Sequence, residues 1–407
     1  MGAFEPTMAE LTIDFRQISE SFPREVVDRI LQETGRESVR RRKLPAHVMV
    51  YYTIALGLMG SASAREVLRV LVRDVRDQFP NSEAVIASRA GICNARQRIG
   101  AQPIRRLFEQ VAKPIAKRTT KDASLGNLRL VAIDGSSLQL QDTPANRKQY
   151  GRASAADGKT SPLPLIRFVG LCEIGTHVVF AARMGAWEIG ETTLAKQLMD
   201  RLEPGMLCLA DRLFYGFELW DQAVATGAQL LWRVQKGIRL PRIKTLSDGS
   251  YLSYVRARSN AKVAERARCL PVRVIEFTIT VGGKRTEYRV ITTLLDPKKH
   301  PAQKLANLYA KRWGIETAFA EVKTYLKGSG VLLRSQRPNL VEQDFYGLLL
   351  AHFGVRSIMH EAAQAQSIPP TELSFLHAVR VIIRRLPEMV SFSPLWWLPH
   401  APSAPCG

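Results

Sequence analysis

Two apolar runs of this chain each end in an aspartate, and they constrain the fold more than any other feature. Residues 128–134 read LRLVAID and residues 206–211 read MLCLAD. Runs this short and this apolar are typical of strands buried on both faces, so each strand carries a carboxylate to its C-terminal tip. An aspartate in the turn after a strand is also common without a function. For Asp134 alone, both interpretations stay open.

The surrounding segments complete a recognisable order of elements. We predict strands at 164–172, 176–184 and 228–234, and helices at 190–202 and 215–225, the first burying Leu194, Leu198 and Leu202. Three strands, a helix, a strand, a helix and a strand, with acids ending the first and fourth strands, are typical of the ribonuclease H-like α/β fold. That fold has a mixed sheet with helices on both faces. The polar segment 141–162 is predicted to be a mobile loop.

Residues 236–300 interrupt this plan with short β-rich runs and a Gly282-Gly283 turn, which predicts an inserted β subdomain. The chain thus divides into five predicted regions. They are a helical DNA-binding domain at 1–125, the first part of the catalytic core at 126–235, the insertion at 236–300, the second part of the core at 301–335, and a C-terminal helical region and tail at 336–407.

The charge of the chain indicates its partner. Lys and Arg number 58 against 37 acids, a formal net charge of +21. A polyanion would relieve that self-repulsion, so we expect a nucleic acid as partner; the family resemblance described below implies double-stranded DNA. Basic residues cluster at 40–43, along the amphipathic segment 88–117 and between 256 and 268. Short helices with one apolar and one basic side suit phosphate contacts, although an ordinary solvated face remains the alternative.

Other classes of protein are disfavoured. The five cysteines are scattered and lack metal-ligand spacing, so we expect reduced thiols and no zinc site. The longest apolar run, 47–64, contains tyrosines, serines and glycines and is shorter than a clean membrane span. We therefore expect a core helix there, no signal peptide, no membrane association and a cytoplasmic, nucleoid-associated protein.

A third acid stands on a predicted helix, 309–327, that reads YAKRWGIETAFAEVKTYLK. At about 100° per residue, one stripe of this helix carries an aromatic residue, a carboxylate and three cations. The members of the stripe are Tyr309, Arg312, Glu316, Lys323 and Lys327. A solvated helix face with an Arg312–Glu316 pair is the alternative account. Glu321 projects about 140° away from Glu316, so both cannot serve one site.

Three carboxylates suit a particular chemistry. Phosphodiester hydrolysis at neutral pH needs an activated water and a stabilised leaving oxygen, and two divalent ions about 3.5–4 Å apart supply both. Mg²⁺ prefers hard oxygen ligands, so Asp134, Asp211 and Glu316 would suffice without histidine. The histidines show no clustered ligand spacing and are expected to be structural.

The spacing Tyr309, Arg312, Glu316 and Lys323 resembles the Y-(2)-R-(3)-E-(6)-K signature of the insertion sequence 4 family of DDE transposases. The resemblance extends over about residues 128–330 and includes IDGS at Asp134, DTPAN at 142–146 and LADR-F at Asp211. Members of that family also hold a β-stranded insertion between the second aspartate and the glutamate.

The resemblance implies roles for individual residues. Asp134, Asp211 and Glu316 look like the metal-binding catalytic triad, holding two Mg²⁺ ions with Mn²⁺ as an alternative. Tyr309, Arg312 and Lys323 look like DNA contacts, and Lys327 on the same stripe is a further candidate. In better-described relatives, an aromatic residue 21 positions before the signature tyrosine stacks on a flipped base. That position holds Tyr288 here, in place of tryptophan. Trp313 is the second aromatic so marked, with packing under the helix as its alternative.

The implied activity is transposition by cutting and pasting. The N-terminal region would bind terminal inverted repeats, strand cleavage would pass through hairpin ends, and a homodimer would pair the two ends. Two other functions stay open: a ribonuclease H-like nuclease that does not join strands, and a catalytically inactive DNA-binding protein descended from a transposase.

Overall fold

The computed structural model describes residues 21–39, 44–71, 87–154, 160–257, 269–281, 284–328, 330 and 332–389. The chain forms two compact units. One is helical and comprises Met1–Ile115, Glu321–Val331 and Asn339–Gly407, and the other is α/β and comprises Ala116–Ala320 and Leu332–Pro338. The division into five regions with distinct functions stays a prediction.

The helices in chain order are α1 (Arg24–Glu33), α2 (Ala46–Leu58), α3 (Ala64–Leu71), α4 (Arg89–Ile99), α5 (Gln102–Val111), α6 (Pro144–Tyr150), α7 (Glu191–Lys196), α8 (Phe217–Ala225), α9 (Ala302–Tyr309), α10 (Gly314–Ala320), α11 (Pro338–Ala365) and α12 (Phe375–Met389). The strands are β1 (Ser124–Leu125), β2 (Leu128–Gln139), β3 (Arg152–Ser154), β4 (Thr160–Glu173), β5 (Val178–Ala186), β6 (Met206–Ala210), β7 (Gln229–Arg233), β8 (Lys244–Thr245), β9 (Tyr251–Arg256), β10 (Cys269–Val281) and β11 (Lys284–Thr292).

The helical unit begins as its apolar pattern predicts. α1 buries Val27, Ile30 and Leu31 on one face and is followed by Gly35 at φ 63°, a left-handed position that suits glycine. α2 is buried on nearly all sides, as expected for a core helix. Among the described helices, none is long and apolar enough to cross a membrane.

One arginine of the predicted basic face is instead part of the core. Arg96 on α4 is 7% exposed, donates to Gln343 at 2.6 Å and pairs with Asp344 at 2.5 Å. In the sequence, Arg96 is spaced like the other cations of the segment 88–117. In the structure, Asp344, which is distant in sequence, neutralises its charge. The basic clusters at 40–43 and 258–268 lie outside the described residues.

The α/β unit confirms the predicted ribonuclease H-like fold. β4 pairs antiparallel with both β2 and β5, and β6 lies parallel to β2 on one side and to β7 on the other. The central strand order is therefore β5-β4-β2-β6-β7. Apolar residues line both faces of the inner strands because helices cover them, and the predicted burial of Leu194, Leu198 and Leu202 is confirmed.

The inserted β segment extends the core sheet. β11 pairs antiparallel with β7 at the edge of the ribonuclease H-like strands, and β10, β9 and β8 continue outward. Covering the open edge of β7 in this way satisfies backbone groups that would otherwise face solvent. The predicted Gly282-Gly283 turn lies outside the described residues.

The predicted mobile loop at 141–162 is wrong over most of its length. The segment contains α6, then β3 and the start of β4, while 155–159 lie outside the described residues. The Thr143 hydroxyl accepts from the backbone N–H of Asn146, and Pro144 occupies the first turn of α6. These are ordinary signals for the start of a helix, and they outweigh the polar composition.

The single helix predicted at 309–327 is also wrong. α9 ends at Tyr309, a 3₁₀ turn spans Ala310–Trp313, α10 follows, and Glu321–Leu326 is π-helical. Because a π-helix bonds residues five apart, a projection at 100° per residue does not extend past Ala320. The stripe thus breaks before Lys323, and the π-helical segment belongs to the helical unit.

Candidate active site

The first two acids are brought together by strand pairing. β2 and β6 run parallel, with Ile133 opposite Ala210 in register. Asp134 follows Ile133 directly, and Asp211 follows Ala210 at the end of β6. The predicted end of the first strand at Asp134 is wrong, because antiparallel pairing with β4 continues β2 to Gln139 and places Asp134 opposite Gly170. β6 does end at Ala210, so the two carboxylates lie side by side where β6 ends, one within β2 and one just after β6. The sequence predicted the pair, but not its position along β2.

Asp134 is the more enclosed of the two. Its side chain is 20% exposed, and its Oδ1 accepts from the Gly135 backbone N–H at 2.8 Å. Burial raises the pKa of this carboxyl, the Gly135 N–H and Arg312 oppose that rise, and Glu316 and Asp211 add to it. Holding this group ionised therefore costs folding free energy.

The third acid is joined to the first by an arginine. Arg312 donates from Nη1 to Asp134 Oδ2 at 2.9 Å and from Nη2 to Glu316 Oε1 at 2.9 Å. Its side chain is 8% exposed, whereas that of Glu316 is 57% exposed. The Nε of Arg312 is buried and has no hydrogen-bond partner among the described residues.

Helix α10, which carries Glu316, is fixed against the sheet. The Phe319 ring packs edge-on against Phe168 of β4 at 5.0 Å between centroids. A Cβ at Gly170 would lie 3.2 Å from the Phe319 ring, so glycine allows the close approach. Ahead of the 3₁₀ turn that leads into α10, the Tyr309 hydroxyl at the end of α9 donates to the Ala210 carbonyl at 3.2 Å. The segment before α10 is thus tied to the end of β6, which Asp211 follows.

Asp211 has its own cationic neighbour. Arg233 Nη1 lies 3.5 Å from Asp211 Oδ1, and the same guanidinium lies 4.2 Å from the Tyr288 ring centroid. Tyr288 also stacks on Phe277, with centroids 5.6 Å apart and planes 12° apart. Arg233 escaped the sequence analysis because its only signal is its position on β7, the strand next to β6.

The predicted DNA contacts differ in their surroundings. Tyr309 is 3% exposed, and burial raises its pKa, so it contacts protein in this structure. Tyr288 is half-buried between protein neighbours, whereas Trp313 is 45% exposed. Lys323 and Lys327 belong to the helical unit, and burial together with Lys323 lowers the pKa of Lys327. The DNA-contacting role of each stays a prediction.

A fourth acid was missed by the sequence analysis. Glu191 opens α7 after Gly190, and a Cβ added at Gly135 would lie 2.3 Å from its carboxyl carbon. Burial raises the pKa of Glu191, Arg167 opposes the rise, and Asp134 adds to it. No local pattern distinguishes Glu191 from an ordinary first-turn glutamate, because only the packing of α7 brings it beside Asp134.

The donor set suits a hard divalent cation. In the described part of the chain, no three side chains of Asp, Glu, His or Cys converge tightly enough to hold a metal. The Arg312 guanidinium stands between Asp134 and Glu316 and contacts both. Carboxylate oxygens are nonetheless the ligands that Mg²⁺ and Mn²⁺ prefer. Arg312 occupies one oxygen of Asp134 and one of Glu316 in this structure.

The α/β unit has a ribonuclease H-like sheet with one acid on β2, a second directly after β6 and a glutamate on the later helix α10. This combination defines a DDE phosphoryl-transfer protein. The profile of the family described as Transposase DDE domain matches residues 126–353, and that of Insertion element 4 transposase N-terminal matches residues 12–109. The chain therefore belongs to the insertion element 4 family of DDE transposases. It is a transposase of an insertion sequence, and DDE chemistry implies the use of divalent metal ions.

A curated relative agrees with this assignment. The chain is 29% identical over 373 residues to the transposase InsG for insertion sequence element IS4 of Escherichia coli strain K12, covering 91% of this chain and 82% of InsG. A solved structure of piggyBac transposase in a synaptic complex with hairpin DNA has a TM-score of 0.48 and 11% identity, covering 97% of this chain and 83% of that chain. That second likeness is too distant to refine the assignment.

Proposed function

We propose that this transposase binds the terminal inverted repeats of its element and cuts and rejoins DNA with Asp134, Asp211 and Glu316 as its catalytic acids. The observation that carries the proposal is the shared Arg312, which contacts two of these acids while the third lies on the neighbouring strand tip. This contact brings the helical glutamate to the aspartate on β2, as a shared site requires.

The three carboxylates would hold two Mg²⁺ ions, with Mn²⁺ as a substitute. When bound, such ions activate a water molecule and stabilise the negative charge on the leaving oxygen. The Gly135 N–H keeps the Asp134 carboxylate oriented, and Arg233 does the same for Asp211. Tyr309 ties the end of α9, from which the chain turns into the glutamate-bearing helix, to the Ala210 carbonyl.

Arg312 has a second role in this proposal. Its buried Nε is still free to donate among the described residues, and a guanidinium matches the geometry of a phosphate. Arg312 neutralises the acids in the absence of DNA and binds a phosphate next to the cleaved bond in its presence. Exposed Trp313 beside it can stack on a base, and Lys323 and Lys327 add phosphate contacts.

The chemistry has two parts. A water oxygen attacks the phosphodiester at the element end, the bond to the 3′ oxygen breaks, and a 3′-hydroxyl is released. That hydroxyl then attacks the phosphodiester of the opposite strand; the new bond closes a hairpin, and the flanking DNA leaves with a 3′-hydroxyl. Water opens the hairpin and regenerates the 3′-hydroxyl of the element, which attacks a phosphodiester of target DNA and releases a 3′-hydroxyl of the target strand. A dimer holding both ends would coordinate these steps in the nucleoid. Tyr288 would stack on a flipped base at the hairpin, in competition with its present contacts to Phe277 and Arg233.

The test uses the full chain, Mg²⁺ and a labelled duplex that carries one inverted repeat. Asp134→Asn, Asp211→Asn and Glu316→Gln should each lower cleavage by roughly 10³-fold or more while duplex affinity in a gel-shift assay is retained. Asp122→Asn is the control, since this exposed acid pairs with Lys311 outside the cluster.

Products on a denaturing gel separate the steps. A double-length strand from the element end indicates a hairpin, and joining of a precut end to a plasmid indicates strand transfer. Cleavage at the normal rate by Glu316→Gln would remove the proposed triad. If the protein cleaves DNA but joins no precut ends, its function is that of a nuclease and not of a transposase.

A further inference from the structure

A cavity of about 500 Å³ opens in the α/β unit beside the loop that follows Asp211. The loop supplies Arg212 and Tyr215, and the start of α8 supplies Phe217. Arg239 lines the cavity from the segment after β7, and Tyr254 and Arg256 line it from β9. Its volume falls within the range of roughly 300–1,000 Å³ that is usual for small-molecule sites.

The charges of the lining residues favour an anion. Three arginines contribute to the wall, and none of the described residues that line it is acidic. Among the described residues, neither Arg212 nor Arg239 forms an ion pair. The N-terminal end of α8 also lies at the cavity, where backbone N–H groups and the helix dipole favour a phosphate.

Aromatic rings add a second preference. Tyr215, Phe217 and Tyr254 are all half-buried, so part of each ring remains accessible. The Arg256 guanidinium lies 4.3 Å from the Tyr254 ring centroid and donates to its hydroxyl at 2.6 Å, which holds that ring in place. Arginines interleaved with aromatic rings are typical of surfaces that bind unpaired bases, because every base has a face that stacks.

The wall of the cavity is also held in a fixed shape. One nitrogen of Arg289, on β11, donates to the carbonyl oxygens of Gln235, Lys236 and Ile238 at 2.6–2.8 Å. This pins the segment between β7 and β8 that carries Arg239. A prepared wall lowers the entropy lost on binding, so it favours a specific ligand over a diffuse electrostatic contact.

We propose that this cavity binds an unpaired nucleotide of single-stranded DNA. The base stacks against Tyr254 and its aromatic neighbours, and the arginines hold the adjoining phosphates. The proposal rests on the proposed function in that DNA is the substrate. Because Arg212 follows Asp211 directly, the bound strand would be one that separates close to the cleaved bond.

Binding of a short fluorescein-labelled oligothymidylate, measured by anisotropy on the full chain without divalent ions, tests this inference. Tyr254→Ala should weaken binding about tenfold, the effect of losing one stacked base, and leave duplex affinity unchanged. Tyr254→Phe should bind normally, since the ring and not the hydroxyl is needed. Arg239→Ala, at an exposed position, should weaken binding and lower the slope of log affinity against log salt by about 1.

Arg242→Ala is the matched control. Arg242 lies 4.2 Å from the Tyr251 ring centroid in the same β segment, so it forms a similar pair that does not line the cavity. Normal oligothymidylate binding by Tyr254→Ala and Arg239→Ala overturns the proposal. An equal loss in Arg242→Ala, or an equal loss on duplex DNA, also overturns it in favour of general electrostatic attraction.

Two further arms identify the strand and separate this inference from the triad. A 4-thiothymidine is placed either in the strand flanking the element end or in target DNA. The DNA that crosslinks to the peptide containing Tyr254 is the source of the bound strand. If neither DNA crosslinks to that peptide, the proposal is contradicted. Asp211→Asn should still bind oligothymidylate normally. Failure of the cleavage test therefore leaves the binding result intact, and failure of binding leaves the triad intact.

Discussion

Two glutamates only five residues apart, Glu316 and Glu321, have opposite surroundings. Glu316 is 57% exposed and shares Arg312 with Asp134. Glu321 is 3% exposed; Arg356 donates to both of its oxygens, and His352 Nε2 lies 3.0 Å away. Both glutamates are paired with arginine, so an ion pair alone does not distinguish a candidate catalytic acid from a structural one.

The difference lies in what remains available around each pair. The Glu321 cluster is closed: its partners are buried and its carboxylate oxygens are occupied. The Glu316 cluster is open, because one guanidinium serves two carboxylates and a third acid, Asp211, stands nearby with a looser contact to Arg233 at 3.5 Å. A divalent metal site needs excess negative charge and a cationic side chain that the metal can displace. A closed cluster such as that of Glu321 instead stabilises the fold.

The largest expected effect follows from removing the closed pair. Glu321→Ala leaves Arg356 buried without its counter-charge and should lower the free energy of unfolding by about 3–5 kcal/mol. Glu316→Ala should change it by less than about 1 kcal/mol, since its carboxylate is mostly solvated. Urea unfolding followed by circular dichroism measures both. Equal losses in the two variants would erase the distinction between the clusters.

A smaller effect is expected when the shared cation is removed. Arg312→Ala should raise the affinity for Mn²⁺ roughly tenfold in the absence of DNA, because a positive charge next to the ligand oxygens is gone. Electron paramagnetic resonance of free Mn²⁺ gives the binding curve. Lys311→Ala is the control, as this neighbouring cation pairs with Asp122. Unchanged Mn²⁺ affinity in Arg312→Ala would mean that Arg312 does not compete for the site.

The sequence predicted the parts of this comparison that local patterns encode. Apolar runs followed by acids predicted the pairing of Asp134 and Asp211, because burial on two faces leaves a clear signature; the sequence did not show that β2 continues past Asp134 to Gln139. The break of the helix before Lys323 was missed since a constant 100° per residue was assumed across a 3₁₀ turn and a π-helix. Helix α6 had a readable start at Thr143 and Pro144 that composition concealed.

Other features depend on packing between distant segments. Glu191 and Arg233 reach the acids only through the sheet and the helix that covers it, and the pairing of Arg356 with Glu321 spans 35 residues. Side chains of this kind carry no period or spacing in the sequence. Their surroundings can therefore be read only from the three-dimensional contacts. The sequence predicts the strands and helices on which such contacts form, but not the contacts themselves.

The smallest effect concerns the cost of keeping the open cluster charged. The folded-state pKa of Asp134 is raised, chiefly by burial, so its ionisation opposes folding. That penalty is absent at pH values below the unfolded pKa, near 3.8, and develops as the pH rises through the folded pKa. Asp134→Asn should thus be more stable than the parent at neutral pH, with no gain in strong acid. Urea unfolding across this pH range, with a chelator present, measures the difference.

Glu321→Gln should lose stability at neutral pH under the same conditions, since its carboxylate is fully paired. A neutral-pH gain in both variants, or in neither, would show that the open and closed clusters do not differ in the cost of their charges.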